Sequence, residues 1–250
     1  MNWLCQICGY DYYNLKKSIE IVSDPCLTWL DMVEPKTDFH DNQEESLQKL
    51  DDSILSEYIQ IPNRWYLESG VSYETQKEFE VGFSVLHDRI MMPIRDEIGN
   101  LVGVKGRTIH DPKEVSKFFY PYPTSKTLLL YGLYKTLPYI KEKNEVIVLE
   151  AEKGVMIAWS MGIRNCVAIG GHKLSMTQVM KLEKLGVDVV LALDKGVRRE
   201  RIAKERDKFL KSGIYTIWDK DDLLNDKEAP VDRGVAMWNK LYSDYKWKIK

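Results

Sequence analysis

Long apolar runs are missing from this chain: no stretch of its 250 residues approaches the ~18 apolar positions that a membrane-spanning helix needs. The amino terminus, MNWLCQICGYDYYN, has neither the basic start nor the apolar core of a secretory signal. Cysteine is scarce, with 4 residues, which excludes a disulfide scaffold and favours a reducing compartment. Internal repeats and low-complexity tracts are absent as well. A soluble protein of the cytoplasm, without membrane contact, is therefore expected. Charge of one sign is also lacking, since the net charge is only −2, and taken alone this argues against a nucleic-acid partner. What the chain does have is apolar mass: 44% hydrophobic residues, with 7 Trp and 14 Tyr, enough for a real core. Its length fits one large domain or two small ones.

The near-neutral total hides an uneven distribution. Residues 1–60 hold 4 basic and 12 acidic side chains, a charge of −8, so the remainder carries +6 to reach the total of −2. That asymmetry weakens the objection to a polyanionic partner. Within the positive part, Lys195 to Lys211 (KGVRRERIAKERDKFLK) has 8 basic and 3 acidic residues, a pattern that by itself reads as a solvated helix face. The acidic lead-in has helical spacing over Ser18 to Val33, interrupted by Pro35.

A β-hairpin is predicted where RIMMPIRD (89–96) and LVGVKGRTI (101–109) flank the turn-forming tetrad Glu97-Ile98-Gly99-Asn100. Alternation places Arg89 and Arg95 on one face of the first strand, and Lys105 and Arg107 together on the second. Four cations near one hairpin surface, beside Gly103 and Gly106, suit a phosphate-rich ligand; an ordinary solvated sheet face explains the same pattern.

From Glu145 the pattern alternates strands with helices. Strands are read at 146–149, 166–169, 187–193 and 215–218. Helices are read at 153–161 and from the capping-box pair Ser175/Gln178 to Gly186, with a basic one around 199–211. This order implies a mainly parallel sheet covered by helices. Ligands of such sheets bind beyond the carboxyl ends of the strands. Three strands finish in an acid there: Glu150, Asp194 and Asp219. Further acids, among them Glu228 and Asp232, follow. Converging carboxylates repel unless protonated or bridged by a cation, and hard oxygen ligands suit Mg²⁺ or Mn²⁺. Capping of the following helices is the competing reading of each acid.

The succession VIVLEAEKG (146–154), GIRNCVAIGG (162–171) and VLALDKGV (190–197) resembles a TOPRIM domain. The preceding hairpin and KFFYPYPTSKTLLLYGL (117–133) resemble the RNA-polymerase core of DnaG-type primases, in particular phage versions from Gram-positive hosts. The resemblance runs roughly from Ile54 to Tyr242. It implies an α/β fold: a TOPRIM-type, mainly parallel sheet flanked by helices in 141–250, a smaller basic α+β subdomain in 54–140 and an acidic N-terminal segment in 1–53. It also implies synthesis of short RNA primers from NTPs on a single-stranded DNA template during phage replication, possible contact with a replicative helicase, and a divalent metal. Glu150 matches the family's TOPRIM glutamate and Asp194 the first acid of its Asp-x-Asp, both as catalytic and metal-holding groups. Glu228, Asp232 and Asp219 are further metal candidates. Arg89, Arg95, Lys105 and Arg107 of the hairpin, with Lys117, Lys126 and Lys195, would contact template and nucleotide phosphates.

This chain departs from the family pattern at three positions: Gly196 replaces the second acid of Asp-x-Asp, Ala151 the glycine after the glutamate, and Gly154 an aspartate. Losing a carboxylate weakens a Mg²⁺ site. A nucleic-acid-binding protein with a weakened metal site, or a metal-dependent TOPRIM nuclease, are therefore alternatives. Cys5-x-x-Cys8 fits half of the zinc ribbon that primases carry ahead of the core, and equally fits two ordinary cysteines. Tyr120, Tyr122 and Tyr131 suit either base stacking or the core. No Gly-x-x-x-x-Gly-Lys-Ser/Thr motif is present, which excludes a fused helicase on this sequence.

Overall fold

The hairpin read at 89–109 is the centre of the first of two sheets. A computed structural model of the protein describes residues 46–110 and 115–250, all within one compact unit, Glu44–Lys250. The Cys5/Cys8 pair and the helix expected over Ser18–Val33 lie outside the described residues. Strands β1 (Gly82–Ser84), β2 (Arg89–Arg95), β3 (Leu101–Thr108) and β4 (Phe118–Tyr122) form an antiparallel sheet in that order. Two short helices, α1 (Arg64–Glu68) and α2 (Tyr73–Glu78), precede it. The β2–β3 turn is closed by Asp96, whose Oδ1 accepts from the backbone N–H of Ile98 (3.1 Å) and Asn100 (2.8 Å), with Gly99 at φ 92°.

The register corrects one expectation. Ile90 pairs with Arg107 and Met92 with Lys105, while Arg89 pairs with Thr108. Cross-strand partners share a face, so Lys105 and Arg107 lie with Ile90 and Met92, opposite Arg89. A register shift between Ile94 and Arg95 then breaks the alternation before Arg95. The four cations do not form one surface.

The second sheet has the order β6-β5-β7-β8-β9, built from β5 (Glu145–Leu149), β6 (Cys166–Ala168), β7 (Asp188–Leu191), β8 (Ile214–Ile217) and β9 (Lys246–Lys248). Its first four strands pair in parallel and β9 joins antiparallel at the edge. Helices α3 (Leu133–Lys143), α4 (Glu152–Ser160), α5 (Met176–Leu185), α6 (Arg199–Arg206) and α7 (Gly234–Asp244) cover it. The capping box at Ser175/Gln178 forms as read, and Gly186 ends α5 in the left-handed region at φ 68°. Packing against β5 and β6 makes α3 part of this layer, whose first helix thus begins at Leu133 rather than at 141.

Both faces of the parallel sheet are buried, which is why β5 and β7 read as unbroken apolar runs. Ile147, Leu149 and Val190 enter one core with Val155 and Ile157 of α4 and with Ile90 and Met92 of the hairpin. Val146, Val148, Val189 and Leu191 enter a second with Val179 and Leu182 of α5 and Ile202 of α6. Each such fully buried side chain contributes about 1.5–3 kcal/mol. Because Ile90 and Met92 pack into the core that contains α4, the cations sharing their face are carried to the amino end of α4.

The basic helix stops at Arg206, short of the expected 211. Phe209 is fully buried, and the chain must leave the helix to insert it. The Glu183 carboxylate then accepts from the backbone N–H of Leu210 (2.8 Å) and Lys211 (3.1 Å), holding the turn. Tyr131 is buried in the core and bridges to Ala168, whereas Tyr120 is exposed. Among the described residues no helix is long and apolar enough to cross a membrane.

Candidate active site at the carboxyl edge of the parallel sheet

β5 ends at Leu149, and the next residue, Glu150, stands at the point where the sheet order switches direction, with β6 on one side and β7 on the other. This is where parallel α/β sheets open a crevice. β7 and its extension deliver Asp194, and the segment before α7 delivers Asp232. All three acids line one cleft of about 210 Å³. Its opposite wall comes from the other sheet and α1: Arg107, Lys117, Phe118 and Trp65. Lys153 and Lys227 complete the cationic lining.

Glu150 is buried and doubly held, with its Oε2 3.0 Å from His172 Nδ1 and its Oε1 accepting from Arg201 Nη2 at 3.3 Å. Asp194 has its pKa pushed up to about 6, first by burial and then by the neighbouring charges of Glu150 and Asp232. Asp232 Oδ2 accepts from the Ala229 N–H at 2.9 Å. Its Oδ1 is buried without a hydrogen bond, although Lys153 Nζ lies 3.0 Å away as a charge partner. Facing these acids, Lys117 has its pKa lowered by burial and by repulsion from Arg107, Lys105, Lys153 and Lys227. The Arg107 guanidinium stacks 3.9 Å from the Trp65 ring centre, and its Nε is buried without a partner. Mutually repelling cations with an unsatisfied donor describe a place for an anion.

Of the residues singled out in the sequence, Glu150, Asp194, Asp232, Arg107 and Lys117 meet in this cleft. Others make their contacts elsewhere. Lys105 is buried in an ion pair with Glu152, at 2.8 and 2.9 Å. Arg95 binds Glu80 (2.6 Å) and Asp52 (2.8 Å). Arg89 donates to the Ser116 carbonyl at 2.8 Å. Lys195 pairs with Asp222 (2.8 Å) and donates to the Leu224 carbonyl. Asp219 caps the N–H groups of Leu223 and Leu224 (2.9 and 2.8 Å), and Glu228 holds Asn225 N–H (2.7 Å) and Arg233 (2.8 Å). Both acids are bound to loop backbone, and α7, the helix that follows, has Arg233 at its cap. Lys126 is exposed beside the Gly170–Gly171 turn. Reading by strand ends missed Trp65, Lys153, Lys227 and Arg201. The position of Lys153, three residues past Glu150 in the first turn of α4, was the available signal for one of them.

Among the described residues no three His, Cys, Asp or Glu side chains form a ready-made metal cage. The donor set nevertheless fits a divalent ion. Mg²⁺ is commonly held by one or two carboxylates together with substrate phosphates and water, and the repulsion that raises Asp194 is what such a charge relieves. Gly196 sits at φ +93°, with nothing within 4 Å of an added Cβ. An L-residue there is strained even though space is open. Gly196→Asp is expected to lower stability by about 1 kcal/mol. Thermal melts check this, and an unchanged or raised melting temperature would mean that a side chain does not strain the backbone there.

No family model matches the chain. Among curated relatives, the SPbeta prophage-derived uncharacterized protein YorJ of Bacillus subtilis is 28% identical over 228 aligned residues, covering 78% of this chain and 60% of that protein. The DNA primase of Halalkalibacterium halodurans is 31% identical over 129 residues, covering 51% of this chain and 21% of the primase. The chain therefore spans less than two thirds of the length of either. Among solved structures, the Aquifex aeolicus primase (zinc-binding and RNA polymerase domains) matches with a TM-score of 0.67 at 20% identity, over 79% of this chain and 60% of that one. A DnaG primase catalytic domain bound to ssDNA matches with a TM-score of 0.59 at 23% identity, over 73% and 71%. The described residues carry the fold of the DnaG-type primase catalytic core, and the chain is homologous in sequence to DNA primases.

Proposed function

We propose that this protein is a primase-type nucleotidyltransferase core, of a phage kind, that makes short RNA primers from NTPs on single-stranded DNA. The observation that carries this reading is the single cleft in which Glu150, Asp194 and Asp232 face Arg107, Lys117, Lys153 and Lys227. Acids on one side and cations on the other fit a nucleoside triphosphate with its divalent ion, while Trp65 and Phe118 offer flat surfaces to a base. Glu150, Asp194 and Asp232 would hold Mg²⁺ or Mn²⁺, which when bound neutralises charge on phosphate oxygens.

The reaction is attack of a primer 3′-hydroxyl on the α-phosphorus of the incoming nucleotide, expelling pyrophosphate in line. Such a transfer asks of the protein mainly positioning and electrostatic stabilisation. Lys117, Arg107 and Lys227 hold the negatively charged groups from one side. His172 and Arg201 fix the orientation of the Glu150 carboxylate, and Lys153 does the same for Asp232. One of the solved neighbours is a primase catalytic domain bound to ssDNA, which supports a single-stranded template as the partner.

The full chain incubated with single-stranded template, four ribonucleotides and Mg²⁺ or Mn²⁺ is expected to yield short RNA that EDTA abolishes. No RNA with either metal overturns the reading, and loss of template in the absence of nucleotides reassigns the site to DNA cleavage.

Asp194 sets a pH dependence that needs no substrate. Its folded pKa of about 6 lies above the ordinary 3.8. The folded state therefore binds more protons across that window, and the stability this group contributes is full below 3.8 and lost as pH rises through 6. In EDTA, Asp194→Asn is expected to raise stability near pH 7 by on the order of 1–2 kcal/mol, allowing for solvent screening, and to have little effect at pH 4. Thermal melts across pH 4–8 check this; equal effects at both ends would mean that charge repulsion does not act on this carboxyl.

A further inference from the structure

The basic stretch around α6 reads as a solvated helix face, yet two of its charged side chains turn inward. Arg201 reaches Glu150, its Nη2 donating to Oε1 at 3.3 Å. One turn on, Glu205 is buried, and its Oε2 accepts from the backbone N–H of Leu174 at 3.1 Å. Lys208 closes the same contact, donating to the Leu174 carbonyl (2.6 Å) and to Glu205 (2.7 Å). Ile202, Phe209 and Leu174 itself share one apolar core. The helix that carries Arg201 is thus fixed to the loop that carries His172, and each brings a partner to the same carboxylate.

The two partners are unequal. The His172 side chain is 89% exposed, so water competes for its hold on Oε2. The Arg201 side chain is 24% exposed, and a guanidinium keeps its charge throughout the pH range of folded proteins. Its bond to Glu150 is single and longer than the about 2.7–2.9 Å of a good charge-assisted bond, and its Nε is buried without a partner. Neither His172 nor Arg201 lines the cleft, so Arg201 compensates Glu150 from outside the space that a ligand would fill. Of the other two acids, Asp232 has Lys153 at 3.0 Å, and Asp194 forms no ion pair among the described residues.

We propose that Arg201 is the resident counter-ion of Glu150, and that it lowers the affinity of the cleft for a divalent ion by competing for that carboxylate's charge. The proposal rests on the reading of Glu150 as a metal-holding group. A carboxylate already paired with a guanidinium attracts a second cation less strongly. The loose, single contact makes the competition one that a doubly charged ion can win. A mere brace would act in the opposite sense: without it Glu150 would turn freely, and the ion would bind more weakly.

The test measures Mn²⁺ binding to the full chain without nucleotide, read from the electron paramagnetic resonance signal of free Mn²⁺. Arg201→Gln is expected to tighten binding by roughly tenfold. Lys204→Gln removes the same charge from an exposed position of the same helix and is expected to change it by less than about twofold. In a Glu150→Gln background, Arg201→Gln is expected to have no effect. Should Arg201→Gln fail to fold, the Arg201 Nε–H resonance of the wild type, identified by its loss in Arg201→Lys, is followed as Mg²⁺ is added. It is expected to shift, and an unmoved resonance at saturating Mg²⁺ overturns the proposal. Equal or weaker Mn²⁺ binding by Arg201→Gln, with the wild type binding the ion, overturns this proposal alone. Tightening that Lys204→Gln reproduces, or that persists beside Glu150→Gln, also overturns it, because the effect then belongs to net charge. Failure of both wild type and Arg201→Gln to bind Mn²⁺ at millimolar concentrations overturns the metal reading of the cleft, and this proposal with it.

Discussion

Glu150→Gln is expected to lower primer synthesis by about a thousandfold or more while changing affinity for a single-stranded oligonucleotide by less than about twofold. The side chain keeps its size and one oxygen, so the packing of a buried residue between β5 and α4 is retained. What is lost is the negative charge that the proposed metal site requires. Glu150 is in contact with His172 and Arg201 and is one of the charges that raise Asp194. Removing it leaves Arg201 without its carboxylate and lets the Asp194 pKa fall back toward the ordinary range, so the variant and wild type differ in two measurable ways. Primer synthesis with Mg²⁺ and Mn²⁺ reads the first, and the pH dependence of thermal stability in EDTA reads the second. Undiminished synthesis, with the melting profile altered as described, would falsify the placement of Glu150 at the reacting phosphates while leaving the geometry of the cleft intact.

Much of the parallel layer was legible because burial on both faces writes itself into the sequence as apolar runs ending in acids. VIVL before Glu150 and VVLAL before Asp194 carry both the strand and the acid that lines the cleft. The capping box at Ser175 and the glycine at 186 fixed helix ends for local reasons that need no tertiary information. The cations were less legible. Lys105 and Arg107 have the same alternation and the same charge, yet one is ion-paired in the core and the other stacks on Trp65 in the cleft. The difference is decided by Glu152, which lies 47 residues after Lys105, and no local pattern announces that meeting. Asp219 and Glu228 show the same limit: an acid after a strand caps the backbone or lines the cleft according to how the next few residues turn. Strand β9 and helix α7 were not read at all. The KWK triplet of β9 has no apolar alternation, and it pairs because the β8 edge is available to it.

The ion pair between Lys105 and Glu152 is expected to matter more for stability than any other single contact at the site. Lys105 Nζ lies 2.9 and 2.8 Å from the two Glu152 oxygens, and the side chains are only 6% and 10% exposed. The ammonium also sits 4.1 Å from the Phe118 ring centre. Removing one partner strands the other charge away from water, so Glu152→Gln and Lys105→Met should each lose about 3–5 kcal/mol. Replacing both, as Lys105→Met/Glu152→Leu, removes the desolvation cost along with the attraction and should recover most of the loss. The pair joins β3 of the antiparallel sheet to the first turn of α4, the same two elements that carry Arg107 and, one residue before α4's cap, Glu150. The double variant should therefore refold to near wild-type stability but synthesise primer more slowly, because the cationic wall is no longer tied to the acidic one. Urea denaturation of the two single variants and the double one gives the coupling energy, and primer synthesis on the double variant gives the functional cost. A coupling near zero would mean that the pair is solvated and the walls are held by the apolar contacts of Ile90 and Met92 alone. Strong coupling with full activity would mean that the tether serves folding and has no part in the spacing of the cleft.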